Sequence, residues 1–170
     1  MRFLRWGIPA FCLLMLGCGY AIEGKVSSLP PDIQLLAIPF VKNASSKIRL
    51  ASLLTDELNR QFTTSKYLKL VNEDRAEAVL DVSIRSVRVE GATLVTIART
   101  SSRRITVTVD ASLKRKDSST IIWQSSNLVS RETYVVATDQ VITEMNEELA
   151  IKKMTRNLAE KIHNRLFEGF

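Results

Sequence analysis

Arg104-Ile-Thr-Val-Thr-Val-Asp-Ala-Ser-Leu-Lys114 is the most regular stretch of the chain. Ile105, Val107, Val109, Ala111 and Leu113 alternate with Arg104, Thr106, Thr108, Asp110, Ser112 and Lys114. In a strand successive side chains point to opposite faces, so this pattern predicts a strand with one buried and one wet face.

Working outward, Ala78, Leu80, Val82 and Ile84 alternate in the same manner, and then the phase shifts, with Val87 and Val89 apolar on the other parity. A β-bulge near Arg85-Ser86 accounts for the change, since a bulge adds one unpaired residue. Gly91 to Ala98 and the tip Arg99-Thr-Ser-Ser-Arg103 join the two arms, which exceed the usual strand of about 5–6 residues, so the tip is expected to project past the core. On the other side, Lys116 to Thr120 makes a turn into Ile121–Gln124 and Leu128–Val136, two short strands or one interrupted strand, with Trp123 at the sheet edge.

Farther upstream, Ile33 to Phe40 is a continuous apolar run, as suits a central strand covered on both faces, with Pro39 at its exit. Ser45 or Ser46 can cap a helix from about residue 47 to 64, in which Leu50, Leu54, Leu58 and Phe62 recur every fourth position and Leu53 widens the stripe. Tyr67 to Val71 is a second strand, and a strand–helix–strand order predicts parallel pairing through a right-handed crossover. From Thr138 or Asp139 to about Phe167 the chain is helical in character. The stripe of Val141, Ile142, Met145 and Leu149 falls out of phase with Ile151, Met154, Leu158, Ile162 and Leu166, so the first turns are expected to be a separate piece, with the main helix starting near Asn146. The predicted class is α+β: a two-layer sandwich of a mixed four- to five-stranded sheet with two helices on one face, in the order β-α-β-β-β-(β)-α.

The N-terminus has a different character. Arg2 and Arg5 precede an apolar run from Ile8 to Leu16, shorter than the roughly 20 residues that cross a bilayer but suited to a secretory signal. Leu14-Met15-Leu16-Gly17-Cys18 resembles the lipobox of bacterial lipoproteins, which implies cleavage after residue 17 and acyl chains on Cys18. More than one chain, at about 0.8 kcal/mol per buried CH₂, makes a stable membrane anchor. Gly19 follows the cysteine in place of the Asp of an inner-membrane retention signal, so delivery to the outer membrane is expected. Residues 1–17 are thus read as the signal, 18–31 as a lipidated tether containing Pro30-Pro31, and 32–170 as one domain.

Of 24 basic residues the signal removes Arg2 and Arg5, leaving 22 against 18 acids, a mature charge of +4. A mildly basic envelope protein suits polyanions such as phosphorylated lipids, and the compartment argues against nucleic acid. Cys12 leaves with the signal and Cys18 is consumed by lipidation, which excludes a disulfide or a cysteine metal site. His163 stands alone on the last helix, as a solvated or edge histidine with no nucleophile to serve. Asp81 with Asp110, and Ser130-Arg131-Glu132, read as polar positions on alternating strands. No glycine-rich phosphate loop, metal-ligand cluster or nucleophile elbow is present, so no catalytic residue, metal or cofactor is assigned and the chain is not expected to be an enzyme.

What remains is cationic. Arg85, Arg88, Arg99, Arg103, Arg104, Lys114, Arg115 and Lys116 all fall on one long hairpin, offset there by Asp81, Glu90 and Asp110. Two readings stay open: protection of strand edges against aggregation, and a docking surface for phosphate or sugar acids, which Arg forks bind bidentately. On the second reading the tip arginines are favoured over residues 114–116 at the opposite end.

Gly17-Cys18-Gly19-Tyr20, Gly24, Leu29-Pro30, Ile38-Pro39-Phe40 with Asn43, Leu54-Thr55, Glu57-Leu58 and Ala76-Glu77-Ala78-Val79-Leu80 together resemble the LPS-assembly lipoprotein family, LptE. The resemblance extends by element order through the final helix. It implies a lipoprotein that plugs the outer-membrane β-barrel LptD from the periplasmic side, assists its assembly and binds lipopolysaccharide. By position Arg99 matches the basic tip residue associated with lipopolysaccharide in that family. Charge extends the candidate set to Arg103, Arg104, Arg85 and Arg88. A free-standing periplasmic scaffold for other envelope proteins is the alternative.

Overall fold

The computed structural model describes residues 29–30, 32–92 and 101–168. The signal, Cys18, the tether residues up to 28 and residue 31, and residues 93–100, with Arg99 of the expected tip, lie outside the described residues, whereas residues 101–103 of that tip are paired strand at the start of β5. The elements run β1 (Leu35–Ala37), β2 (Lys42–Asn43), α1 (Arg49–Thr63), β3 (Lys69–Leu70), a 3₁₀ turn (Glu73–Arg75), β4 (Ala78–Ala92), β5 (Ser101–Arg115), β6 (Ile121–Val136) and α2 (Gln140–Glu168). The strands form one mixed sheet in the order β3-β1-β4-β5-β6, with β2 also on β4. β1 runs parallel to β3 and to β4, while β4, β5 and β6 are antiparallel.

The expected two-layer α+β sandwich is the observed fold, and its strand count rises to six because the first strand is split. Pro39 has no N–H and a fixed φ, so the apolar run pairs only at Leu35–Ala37, leaves the ladder, and rejoins β4 at Lys42 and Asn43. β1 therefore sits second in the sheet, and the central place expected of β1 is taken by β4. The start of β1 is clamped from β4's entry: a Glu77 carboxylate oxygen accepts the backbone N–H groups of Gln34 at 2.7 Å and Leu35 at 2.9 Å.

α1 forms where the leucine periodicity put it, and Leu50, Leu54, Leu58 and Phe62 are all buried. Neither Ser45 nor Ser46 caps it. The N-terminal position is Ile48, with no side-chain cap, and the approach is braced by Asn43, whose amide accepts from the Ser45 N–H and donates to the Lys47 carbonyl, both at 2.9 Å. Asn43 is fixed by β2, so it offers the turn a stiffer partner than a free serine does.

β4 and β5 each hold 15 residues, about 50 Å of extended chain. The phase shift in β4 is a register irregularity between Ile84 and Ser86, as its alternation predicts. β6 is a single 16-residue strand interrupted at Asn127, whose φ of 56° and N–H to Asp110 (2.9 Å) mark a second irregularity. Trp123 lies on this edge strand but turns inward opposite Leu113 and is buried.

The final helix departs from expectation. α2 is one continuous helix of 29 residues, about 43 Å long, with no separate first piece. Its inward stripe is Thr143, Ala150, Met154, Leu158, Ile162 and Leu166. Val141, Ile142, Met145 and Leu149 are 63%, 48%, 59% and 62% exposed, on the side away from the core. The phase break in the sequence is thus two stripes on opposite sides of one helix, with a polar threonine leading the buried one. Thr143 fits there because its hydroxyl bonds the N–H and C=O of Ala137 (3.0 and 3.2 Å) and the Asp139 carbonyl (3.1 Å). Asp139 accepts the Val141 N–H at 2.8 Å and so caps the first turn.

Both helices contribute to a single core with the apolar face of the sheet, and ion pairs Lys47–Glu147 and Arg49–Glu148 (3.2 Å) tie their neighbouring ends. Among the described residues, the opposite face of the sheet is covered by neither helix. It carries the polar partners of each strand: Asp81, Ser83, Ser86, Arg88, Arg104, Thr106, Thr108 and their neighbours.

Candidate functional site

The long hairpin has two electrostatic characters. At the base every candidate cation has an acid. Lys114 meets Asp81 at 2.8 Å, Arg115 meets Asp32 at 2.6 Å, and Lys116 lies 3.8 Å from Glu73. Lys42 joins Asp81 from the neighbouring strand at 3.6 Å. The hydrogen bond from Lys114 holds the Asp81 carboxyl below its ordinary range, against partial desolvation, and the Arg115 guanidinium does the same for Asp32.

Halfway up, Arg85 sits at the bulge and donates through Nε to Asp110 at 2.8 Å, forming an ion pair with it. The bulge explains this placement, because the unpaired residue leans across the strand to the acid on β5. Arg85 is therefore engaged within the fold.

Beyond Arg85 the pairing stops. Among the described residues, Arg88, Arg103, Arg104 and Arg131 make no ion pair, and all four are exposed. Glu90 lies directly opposite Arg104 in the ladder without reaching it. Parity divides them: Arg103 shares the side of Ile105 and Val107, whereas Arg88 and Arg104 share the uncovered polar face. Arg131, which the sequence alone leaves as an ordinary polar strand position, joins that polar face because β6 places it opposite Thr106. Alternation within Val129, Arg131, Thr133 and Val135 is legible, as is an interruption between Gln124 and Leu128, but the pairing register across Asn127 is not.

The remaining candidates are structural. His163 is packed rather than solvated: its ring lies 5.1 Å from Phe62 and 4.7 Å from Phe167, one helical position past buried Ile162. Its Nδ1 is 3.4 Å from Asn164 Oδ1, and its Nε2 has no partner among the described residues. Glu132 pairs with Lys153 of α2 at 3.0 Å. A cleft of about 1000 Å³ between residues 29–34 and 63–70 has Lys66 and Lys69 but no carboxylate or histidine in its lining. Among the described residues no cluster could hold a metal ion, and no helix is long and apolar enough to cross a membrane.

A family model described as LptE, lipopolysaccharide-assembly, matches residues 33–166. No curated protein matches the chain. Among solved structures, a Caulobacter crescentus protein described as a lipoprotein has a TM-score of 0.52 at 16% identity, covering 74% of this chain and 86% of its own, and shares the fold. A minor lipoprotein of Acinetobacter baumannii gives 0.49 at 16% identity, over 81% of this chain and 92% of its own. Rare lipoprotein B of Shewanella oneidensis gives 0.44 at 14% identity, over 78% and 93%. With the match spanning the first strand to the last turns of α2, the chain belongs to the LptE lipopolysaccharide-assembly family.

Proposed function

We propose that this chain is a non-catalytic, lipid-anchored subunit of lipopolysaccharide export at the outer membrane. Residues 1–17 are removed, Cys18 is acylated, and residues 18–31 tether the domain of residues 32–170. The domain sits from the periplasmic side in the lumen of an LptD-type barrel, assists the barrel's assembly, and meets lipopolysaccharide through the outer half of the basic hairpin, including Arg99. The observation that carries this reading, beyond family membership, is the charge pairing along one hairpin: acids satisfy the cations at the base, while Arg88, Arg103 and Arg104 are left to an outside anion. Solvated edge charges are worth little to stability, so their cost to the fold is small in either state.

The outward stripe of α2 supports a protein partner. Four large apolar side chains, each about half exposed or more and contiguous on one helix, exceed the scattered surface residues that need no explanation. Photo-crosslinkers at Arg104 and Met145 in living cells are expected to recover a large β-barrel protein, and recovery of the lipoprotein alone from both positions would refute the plug. Mass spectrometry of the mature N-terminus is expected to find an acylated Cys18, and an intact Met1 would refute the anchor.

A further inference from the structure

The sheet register places Arg88, Thr106 and Arg131 opposite one another on β4, β5 and β6, all on the uncovered face. We infer that this rung is a seat for a phosphate monoester, with Arg88 and Arg131 as a two-sided clamp and the Thr106 hydroxyl beneath. The proposal rests on the reading of this chain as a lipopolysaccharide-binding subunit and specifies which chemical group of that glycolipid is held, and where.

Neighbouring strands lie about 4.8 Å apart, so the two arginine backbones flank Thr106 at roughly 10 Å from each other. Two arginine side chains can lean inward over that gap and present guanidinium forks to one anion, the geometry in which arginine binds phosphate best. The acids nearby are committed elsewhere. Asp110 takes Arg85 on one oxygen and the Asn127 N–H on the other. Asp81 takes Lys114 and Lys42 at the base. Glu132 is turned to the helix side, with Lys153. Glu90, one rung outward, faces Arg104 and dilutes its charge, which makes the inner rung the stronger anion site. The rung inward is uncharged, with Ser86, Thr108 and Val129, and the rung outward holds Thr133 beside Arg104 and Glu90. Edge protection calls for charge on each exposed strand, but not for two arginines on the same rung of the same face with a hydroxyl between them.

Three features distinguish this seat from a general basic tip. It lies deeper in the ladder than Arg103 and Arg104, it excludes Arg85, and it requires Arg131 from a different hairpin. The test uses the full-length lipoprotein purified in detergent, with two probes: lipopolysaccharide carrying its lipid A phosphates, and the same material chemically dephosphorylated. Wild type is expected to bind the phosphorylated probe at least tenfold more tightly. Arg88→Ala and Arg131→Ala are each expected to lose about tenfold on that probe alone, as loss of one charge-assisted fork implies. The double variant is expected to bind both probes equally, and Arg131→Lys to recover only part of the difference, because lysine offers a point charge. Arg85→Ala is expected to match wild type. Unchanged thermal unfolding of the variants keeps the comparison valid. A double variant with the wild-type preference overturns the seat and leaves lipopolysaccharide binding standing. A wild type that binds both probes equally also overturns it, whereas a wild type that binds neither overturns the broader reading along with it.

Discussion

Replacing Thr143 and Leu149 by alanine, one at a time, decides how the first half of α2 is turned. Thr143 is 6% exposed, and its hydroxyl serves three backbone groups at the β6–α2 junction. Alanine leaves the Ala137 N–H without its side-chain acceptor in a part-buried place, a loss of about 1–3 kcal/mol. Leu149 is 62% exposed, so little of the transfer free energy of its side chain is realised. Truncation there costs some fraction of the roughly 1.5–3 kcal/mol of a fully buried leucine, and alanine's better helix propensity returns part of it. The expected change is within about 0.5 kcal/mol. For a domain of this size 1 kcal/mol corresponds to roughly 4 °C in Tm, so calorimetry should show Thr143→Ala lowered by about 4–12 °C and Leu149→Ala within about 2 °C of wild type. The opposite ranking, with Leu149→Ala losing the 2–5 kcal/mol of a core leucine and Thr143→Ala silent, would refute the outward stripe and restore a separate, inward-facing first segment.

Phe62→Ala removes a fully buried ring that also contacts His163, and is expected to cost about 3–5 kcal/mol in urea titrations. Met145→Glu with Leu149→Glu is expected to leave Tm nearly unchanged while abolishing co-purification with the barrel partner; retained co-purification would separate the stripe from that role. The fold is expected to weaken in acid. Asp81 and Asp32, held down by Lys114 and Arg115, and Glu77, held down by the N–H groups of Gln34 and Leu35, all titrate below their ordinary values of 3.8, 3.8 and 4.5. Groups depressed in the folded state contribute fully above the unfolded values and lose that contribution as pH falls through the folded ones. Melting scans should therefore be flat with respect to these groups from pH 7 to about 5 and fall below about pH 4. Glu77→Gln should flatten the acid limb, and an unaltered limb would remove the β1 clamp from the account.

The parts of the fold legible in the sequence are those where one side of an element is uniformly apolar. Alternation in β5, the leucine stripe of α1 and the parity change in β4 each report directly which atoms leave water, and the structure agrees with all three. The pattern misleads where an apolar residue is exposed or a buried one is polar. Val141 to Leu149 look like a core stripe but face out, and Thr143, the inward residue, satisfies its hydroxyl through backbone groups that only the folded junction supplies. The split of the first strand was half visible, because Pro39 marks the exit while the return at Lys42 depends on β4 being there to receive it. At the candidate site, the sequence shows which residues are cationic but not which find acids. Asp32 reaching Arg115 and Glu73 reaching Lys116 are contacts across long stretches of chain. The meeting of Arg88 and Arg131 over Thr106 depends on the register of two strand pairs, one of which passes an irregularity at Asn127.

The irregularity in β4 has a bearing on how relatives of this protein can be aligned. Ile84 and Val87 both look toward the helices, with two residues between them where plain alternation permits one. A single-residue gap at Arg85 or Ser86 would simply straighten the ladder, and each flank would keep its orientation. The same gap inside β5 would turn everything beyond it over, carrying arginine to the oily side and valine to the wet one. Chain length can therefore drift by one at this kink and hardly anywhere else along the arm, and comparisons of the outer basic positions between family members should place their gap there.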